Sequence, residues 1–113
     1  MKRTLTVYIA DIAENIAQIE KYTSSVDERS FEKDEQLQDA VMRRLEIIGE
    51  AVKHIPQSER KKYPAVPWKA VSGMRDVLIH GYFIVNTKQV WNTIIKDLPI
   101  LKKEIVKMKK EYA

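Results

Sequence analysis

Apolar residues recur at steps of three and four along nearly the whole chain, and that spacing admits few folds other than a bundle of helices. Leu5, Tyr8, Ile9, Ile12, Ile16 and Ile19 form a first stripe that reaches about Tyr22, where Thr23, Ser24 and Ser25 break it. Residues 27–34 read as a polar link in which Phe31 pins a short turn. A second helix is expected from about Glu35 to His54, with Leu37, Val41, Leu45, Ile48 and Val52 in one stripe and Ala40, Ile47 and Ala51 widening it. A face that broad should pack centrally and touch more than one neighbour. Gly49 costs this helix some propensity, which predicts a close approach by another backbone.

Prolines punctuate the rest. Pro56 ends the second helix, residues 58–63 can form at most a short turn of helix, and Pro64 and Pro67 bracket a stiff connection. Pro67 suits the first turn of a third helix that continues through Trp68, Val71, Met74 and Leu78 to His80. Gly81 stands where a left-handed helix-ending residue belongs. The last helix has the clearest start signal: Asn86 as N-cap, Gln89 three residues on, and Val85 and Val90 spaced for a hydrophobic staple. Its apolar positions are Trp91, Ile94, Ile95, Leu98, Leu101, Ile105 and Met108. Pro99 should remove one backbone hydrogen bond and kink this helix rather than end it, because the stripe resumes in phase. The expected architecture is all-α, a four- to five-helix bundle forming one domain over residues 1–113.

At 44% hydrophobic and 32% charged residues, the chain has enough apolar surface for a core and too much for a disordered polymer. It has no cysteine, which excludes disulfides, thiolate metal sites and cysteine nucleophiles. Apolar runs of four or five residues do not span a membrane, and no apolar segment of signal-peptide type follows the basic start, so a cytoplasmic location is expected. The net charge of +4 is uneven: from Lys102 onward there are five lysines against two glutamates, and the remainder is nearly neutral. Lysines there complement the negative end of a helix dipole, or they track phosphate; charge alone does not choose.

Few chemistries survive. His54 and His80 are the only histidines and lack ligand spacing, so no metal site is expected. The glycines at 49, 73 and 81 are isolated, so there is no phosphate-cradling loop, and no serine sits in a nucleophile-elbow pattern. What remains is the end of the third helix. Arg75 offers five fixed donors that match phosphate oxygens. His80 carries an imidazole, which exchanges protons near neutrality. Five residues rotate an ideal helix by about 500°, which leaves these two about 140° apart and off any shared face. They converge only if His80 lies past the last regular turn, or if a second subunit completes the groove. An Arg75 paired with a local carboxylate and a His80 capping the helix would satisfy the same spacing.

Several blocks, in register, carry a family resemblance. Residues 39–51 (DAVMRRLEIIGEA), 66–76 (VPWKAVSGMRD) and 78–83 (LIHGYF), continued by Val90-Trp91 and Asp97-Leu98-Pro99, resemble the HepT-like branch of the HEPN proteins over nearly the whole chain. HepT-like proteins carry Arg-x4-His-x-Tyr with a polar residue after the arginine. Arg75, Asp76, His80 and Tyr82 fill those positions.

The resemblance implies an HEPN-like bundle and the toxin half of a toxin–antitoxin pair (type II or VII in kind), encoded beside an MNT-type minimal nucleotidyltransferase. It implies a metal-independent, cofactor-free endoribonuclease working as a homodimer with two motifs facing one cleft. His80 would handle the proton of a ribose 2′-OH, Arg75 would stabilise charge on the phosphate, and Asp76 would orient one of them. Tyr82 would accept AMP from the antitoxin enzyme, which silences the toxin. Lys53, Arg60, Lys61 and Lys62 either guide RNA or form a solvated link; Trp68 and Trp91 belong to the core or an interface. His54 reads as a helix-terminal residue, and Glu50 lies near the groove. The competing expectation is a non-catalytic helical module that docks a nucleotidyltransferase.

Overall fold

The computed structural model describes residues 4–79 and 87–112, with backbone alone described for residues 75–79. Among them the chain is all helical: α1 (Leu5–Thr23), α2 (Glu28–Lys33), α3 (Glu35–Lys53), α4 (Gln57–Arg60), α5 (Trp68–Ile79), α6 (Thr87–Asn92) and α7 (Leu98–Glu111). A π-helical turn, Thr93–Asp97, joins α6 directly to α7. Four long rods thus make the bundle, with α2 and α4 as short braces.

α1 starts where Thr4, in extended conformation, accepts a bond from the Val7 amide through its side chain. Its predicted stripe is the core face: Ile9, Ile12, Ile16 and Ile19 are buried. One polar group shares that face. The Asn15 amide donates to the Asp11 carbonyl at 2.8 Å and accepts from Arg44 Nη1 at 3.1 Å, which ties α1 to α3 through a satisfied buried amide.

Residues 27–34 are not a polar link: they contain α2, a helix of six residues. Two aspartates explain it. Asp27 Oδ1 accepts from the Ser30 amide at 2.8 Å and starts α2; Asp34 Oδ1 accepts from the Leu37 amide at 3.0 Å and starts α3. The carbonyl of Phe31, near the end of α2, is taken by the Asp34 amide and by Gln38 Nε2. Phe31 itself is fully buried, its ring 5.3 Å from that of Trp91.

α3 lies centrally as its wide apolar face predicts, packed on α1 along one side and α5 along the other. Val41, Leu45, Ile48, Ala51 and Val52 fill those contacts, and Gly49 is buried among them. Its last turn is closed by the His54 amide, which donates to Ala51, and by Arg60, whose Nε and Nη2 donate to the carbonyls of Ile55 and Val52 at 3.0 and 2.7 Å. Pro67 stands just before α5, contributing its carbonyl to the Val71 amide. The proposed helix-ending Gly81, N-cap Asn86 and staple residue Val85 lie outside the described residues.

Pro99 does interrupt the last rod, but by adding a residue to a turn. It has no N–H to donate and its ring crowds the carbonyl four residues back. The chain opens ahead of it: the Leu98 amide donates to Thr93, five residues earlier. The core stripe nevertheless continues at steps of three and four through the turn, as its phase predicts. Ile95, expected on the core face, is 53% exposed, whereas Ile94, Leu98, Leu101, Ile105 and Met108 are buried. No helix among the described residues is long and apolar enough to cross a membrane.

Candidate functional site

α5 carries the first two motif positions, Arg75 and Asp76, and its first two turns are firmly anchored. Trp68, Val71 and Met74 recur at three-residue steps and are all buried. The Trp68 indole N–H lies 3.0 Å from the Tyr63 carbonyl and 3.2 Å from that of Arg60, so the start of α5 is fastened to the connection before it. With the long packing against α3, this fixes the axis along which Arg75 and Asp76 follow. Arg75 and Asp76 occupy helical positions within α5; their side chains, and all of His80 and Tyr82, lie outside the described residues.

Among the described residues, two grooves flank this helix. One, of about 390 Å³, runs between α5 and the α6–π segment; Gly73 forms part of its floor, and Gln89, Asn92, Lys96 and Asp97 part of its far wall. A Cβ at Gly73 would meet nothing within 4 Å, so the groove is open there. Burial raises the Asp97 carboxyl above its ordinary range, opposed by the neighbouring Lys96 ammonium. The other groove, about 360 Å³, lies between α4 and α5. Among the described residues no three histidine, aspartate or glutamate side chains group as metal ligands.

The weaker sequence candidates sort by contact. Trp68 and Trp91, each 9% exposed, belong to the core. His54 is the C-cap of α3; its ring stacks on Tyr8 with centroids 4.5 Å apart, and its Nε2 lies 3.3 Å from Glu50. Arg60 is no solvated linker residue, because it closes α3. Lys62 pairs with Glu59 at 3.4 Å and Glu111 at 3.3 Å. Lys61 remains exposed, and Lys69, which no spacing argument singles out, joins it from α5.

A family model described as ribonuclease HepT-like matches residues 12–108, which include every motif position. The chain belongs to the ribonuclease HepT-like family. Its all-α HEPN-like architecture follows with that membership. A Methanocaldococcus jannaschii protein named as a gamma-glutamylcyclotransferase and putative RNase is 45% identical over 98% of this chain, which spans 50% of that relative's length. A Thermococcus cleftensis protein named "probable ribonuclease HepT" is 44% identical over 97% of this chain and 100% of its own. A Caldanaerobacter subterraneus protein named as a putative RNase is 42% identical over 91% of this chain and 92% of its own. No solved structure matches the chain.

Proposed function

We propose that this HepT-like chain is the toxin of a toxin–antitoxin pair and cleaves RNA without a metal ion, using Arg75 and His80. The observation that carries the reading is Arg75-x4-His80-x-Tyr82 standing complete within a match to a ribonuclease family. Support comes from the anchored α5, which holds the arginine's backbone in a fixed frame beside an open groove. Such positioning is a precondition for efficient catalysis.

The chemistry balances without a cofactor. His80 takes the proton from a ribose 2′-OH; the oxygen attacks the adjacent phosphorus, and the P–O5′ bond breaks. The 5′-oxygen leaves as a hydroxyl, taking its proton from the protonated His80 or from water, and the other fragment ends in a 2′,3′-cyclic phosphate. Arg75 stabilises the extra negative charge on the phosphoryl oxygens as they pass through the transition state. Asp76 orients one of the two. A two-fold homodimer brings Arg75 of one copy toward His80 of the other, which resolves their divergence along one helix. AMP added to the Tyr82 hydroxyl by an MNT-type nucleotidyltransferase would place phosphate beside Arg75 and compete with RNA for its donors.

The test compares Arg75→Ala and His80→Ala with the wild type on RNA, after helicity and oligomeric state are confirmed unchanged. Each should lower cleavage by about 10²-fold or more. Coexpression with the nucleotidyltransferase should add AMP mass to Tyr82. Undiminished cleavage by either folded variant removes the proposed chemistry. A wild type that binds the nucleotidyltransferase and cuts no RNA supports the docking module instead.

A further inference from the structure

The groove between α4 and α5 is not used by the chemistry above, yet its charge is distinctive. Arg60, Lys61 and Lys69 line it together with Gln57, Trp68 and Ser72, and no carboxylate does. Its volume of about 360 Å³ is that of a small-ligand site. Three cations held around one concavity repel each other unless an anion joins them.

The surrounding contacts show why the charge stays uncompensated. Carboxylates nearby are committed elsewhere: Glu59 accepts from Lys62 and the Tyr112 hydroxyl, and Glu111 accepts from Lys62 and the Tyr63 hydroxyl. Neither Lys61 nor Lys69 makes an ion pair with any described residue. Arg60 cannot swing away, because Nε and Nη2 are bound to the Ile55 and Val52 carbonyls. Its Nη1 donates to no described residue and is left for a ligand. A guanidinium fixed in this way loses little freedom when it captures an anion. Buried Trp68 adds an apolar wall against which a ribose can rest.

We propose that this groove binds a backbone phosphate of the RNA a few nucleotides from the scissile bond; the inference rests on the ribonuclease reading. Lys69 precedes Arg75 by six residues, about 9 Å along α5 and about 120° around it, so the bound phosphate lies on a neighbouring face of the same helix from the motif arginine. The phosphate accepts from Arg60 Nη1 and the ammonium groups of Lys61 and Lys69. Such a contact sets affinity and register and carries no sequence information.

The test uses the full chain and a 2′-O-methyl oligoribonucleotide, which binds without being cut. Kd is measured against salt for the wild type, for Lys61→Glu with Lys69→Glu, and for a charge-matched control, Lys103→Glu with Lys110→Glu, both exposed along α7. The groove variant should weaken binding at least 10-fold more than the control and flatten the slope of log K on log salt by about 1, a loss of roughly 0.7 per phosphate contact. On cleavable RNA it should raise KM and leave kcat unchanged. Equal effects of the two double variants on Kd and slope overturn the groove, as does full RNA binding with selective loss of an acidic protein partner. Wild-type binding with the predicted slope but no cleavage would leave the groove standing and remove the ribonuclease; cleavage with a slope indifferent to Lys61 and Lys69 would do the reverse.

Discussion

Single side chains decide several features that the general pattern leaves open. Phe31 is the only large apolar residue of α2, and it turns a six-residue polar stretch into a brace seated on Trp91. Truncating it leaves a cavity and removes the reason for α2 to dock. Phe31→Ala should cost about 3–5 kcal/mol by urea denaturation; a loss below about 1 kcal/mol would show that α2 contributes little to the core. Arg60 illustrates the opposite limit of sequence reading. Composition counts it as one more charge in a basic linker, whereas the fold uses two of its nitrogens to close α3. Nothing in the spacing announces that, because its partners are backbone carbonyls. The motif residues are legible for a different reason: Arg75, Asp76, His80 and Tyr82 are recognisable as a family pattern, and their spacing alone leaves their roles open.

Among the elements, the long helices are those with several apolar residues in phase. α1, α3, α5 and α7 each repeat the three-and-four spacing over at least three turns, so their core faces could be read directly. α2 has a single apolar point and therefore no period, although its capping aspartates were a usable signal. The π turn before Pro99 was not legible. Proline declares that a hydrogen bond is lost, but not whether the rod bends or takes in an extra residue, and Ile95 lies beside the buried stripe and is not part of it. The end of α7 is fastened to the segment after α4 by Tyr63, Lys62 and Glu111. The Glu111 carboxylate beside Tyr63 pushes that phenol from 10.0 up to about 12, and the bond also holds Glu111 below its ordinary carboxylate range. The phenol's contribution is complete below pH 10 and lost as pH rises to about 12; the carboxylate's is lost as pH falls below 4.5. Lys62 and Glu111 are half exposed, so the effect is modest. Tyr63→Phe should lower the melting temperature by a few degrees at neutral pH, with the difference from wild type shrinking between pH 10 and 12. A constant difference across that range would rule out the pairing as its source.

At the scale of the whole molecule, α3 holds α1 and α5 in register, and among the described residues α5 is flanked by two grooves of different character. One is mixed in charge and lies toward the π turn; the other is cationic and lies toward α4. On the proposed reading, the chemistry falls to Arg75 and His80, with a second copy completing the cleft. The most direct measurement of that account is cleavage of a short RNA in excess EDTA, beside the same strand carrying one 2′-deoxyribose at the scissile nucleotide. The account predicts cutting of the first to a 2′,3′-cyclic phosphate and an intact second strand. Cleavage of the deoxy-substituted strand at that bond, a 3′-hydroxyl product, or activity that disappears with EDTA would contradict it.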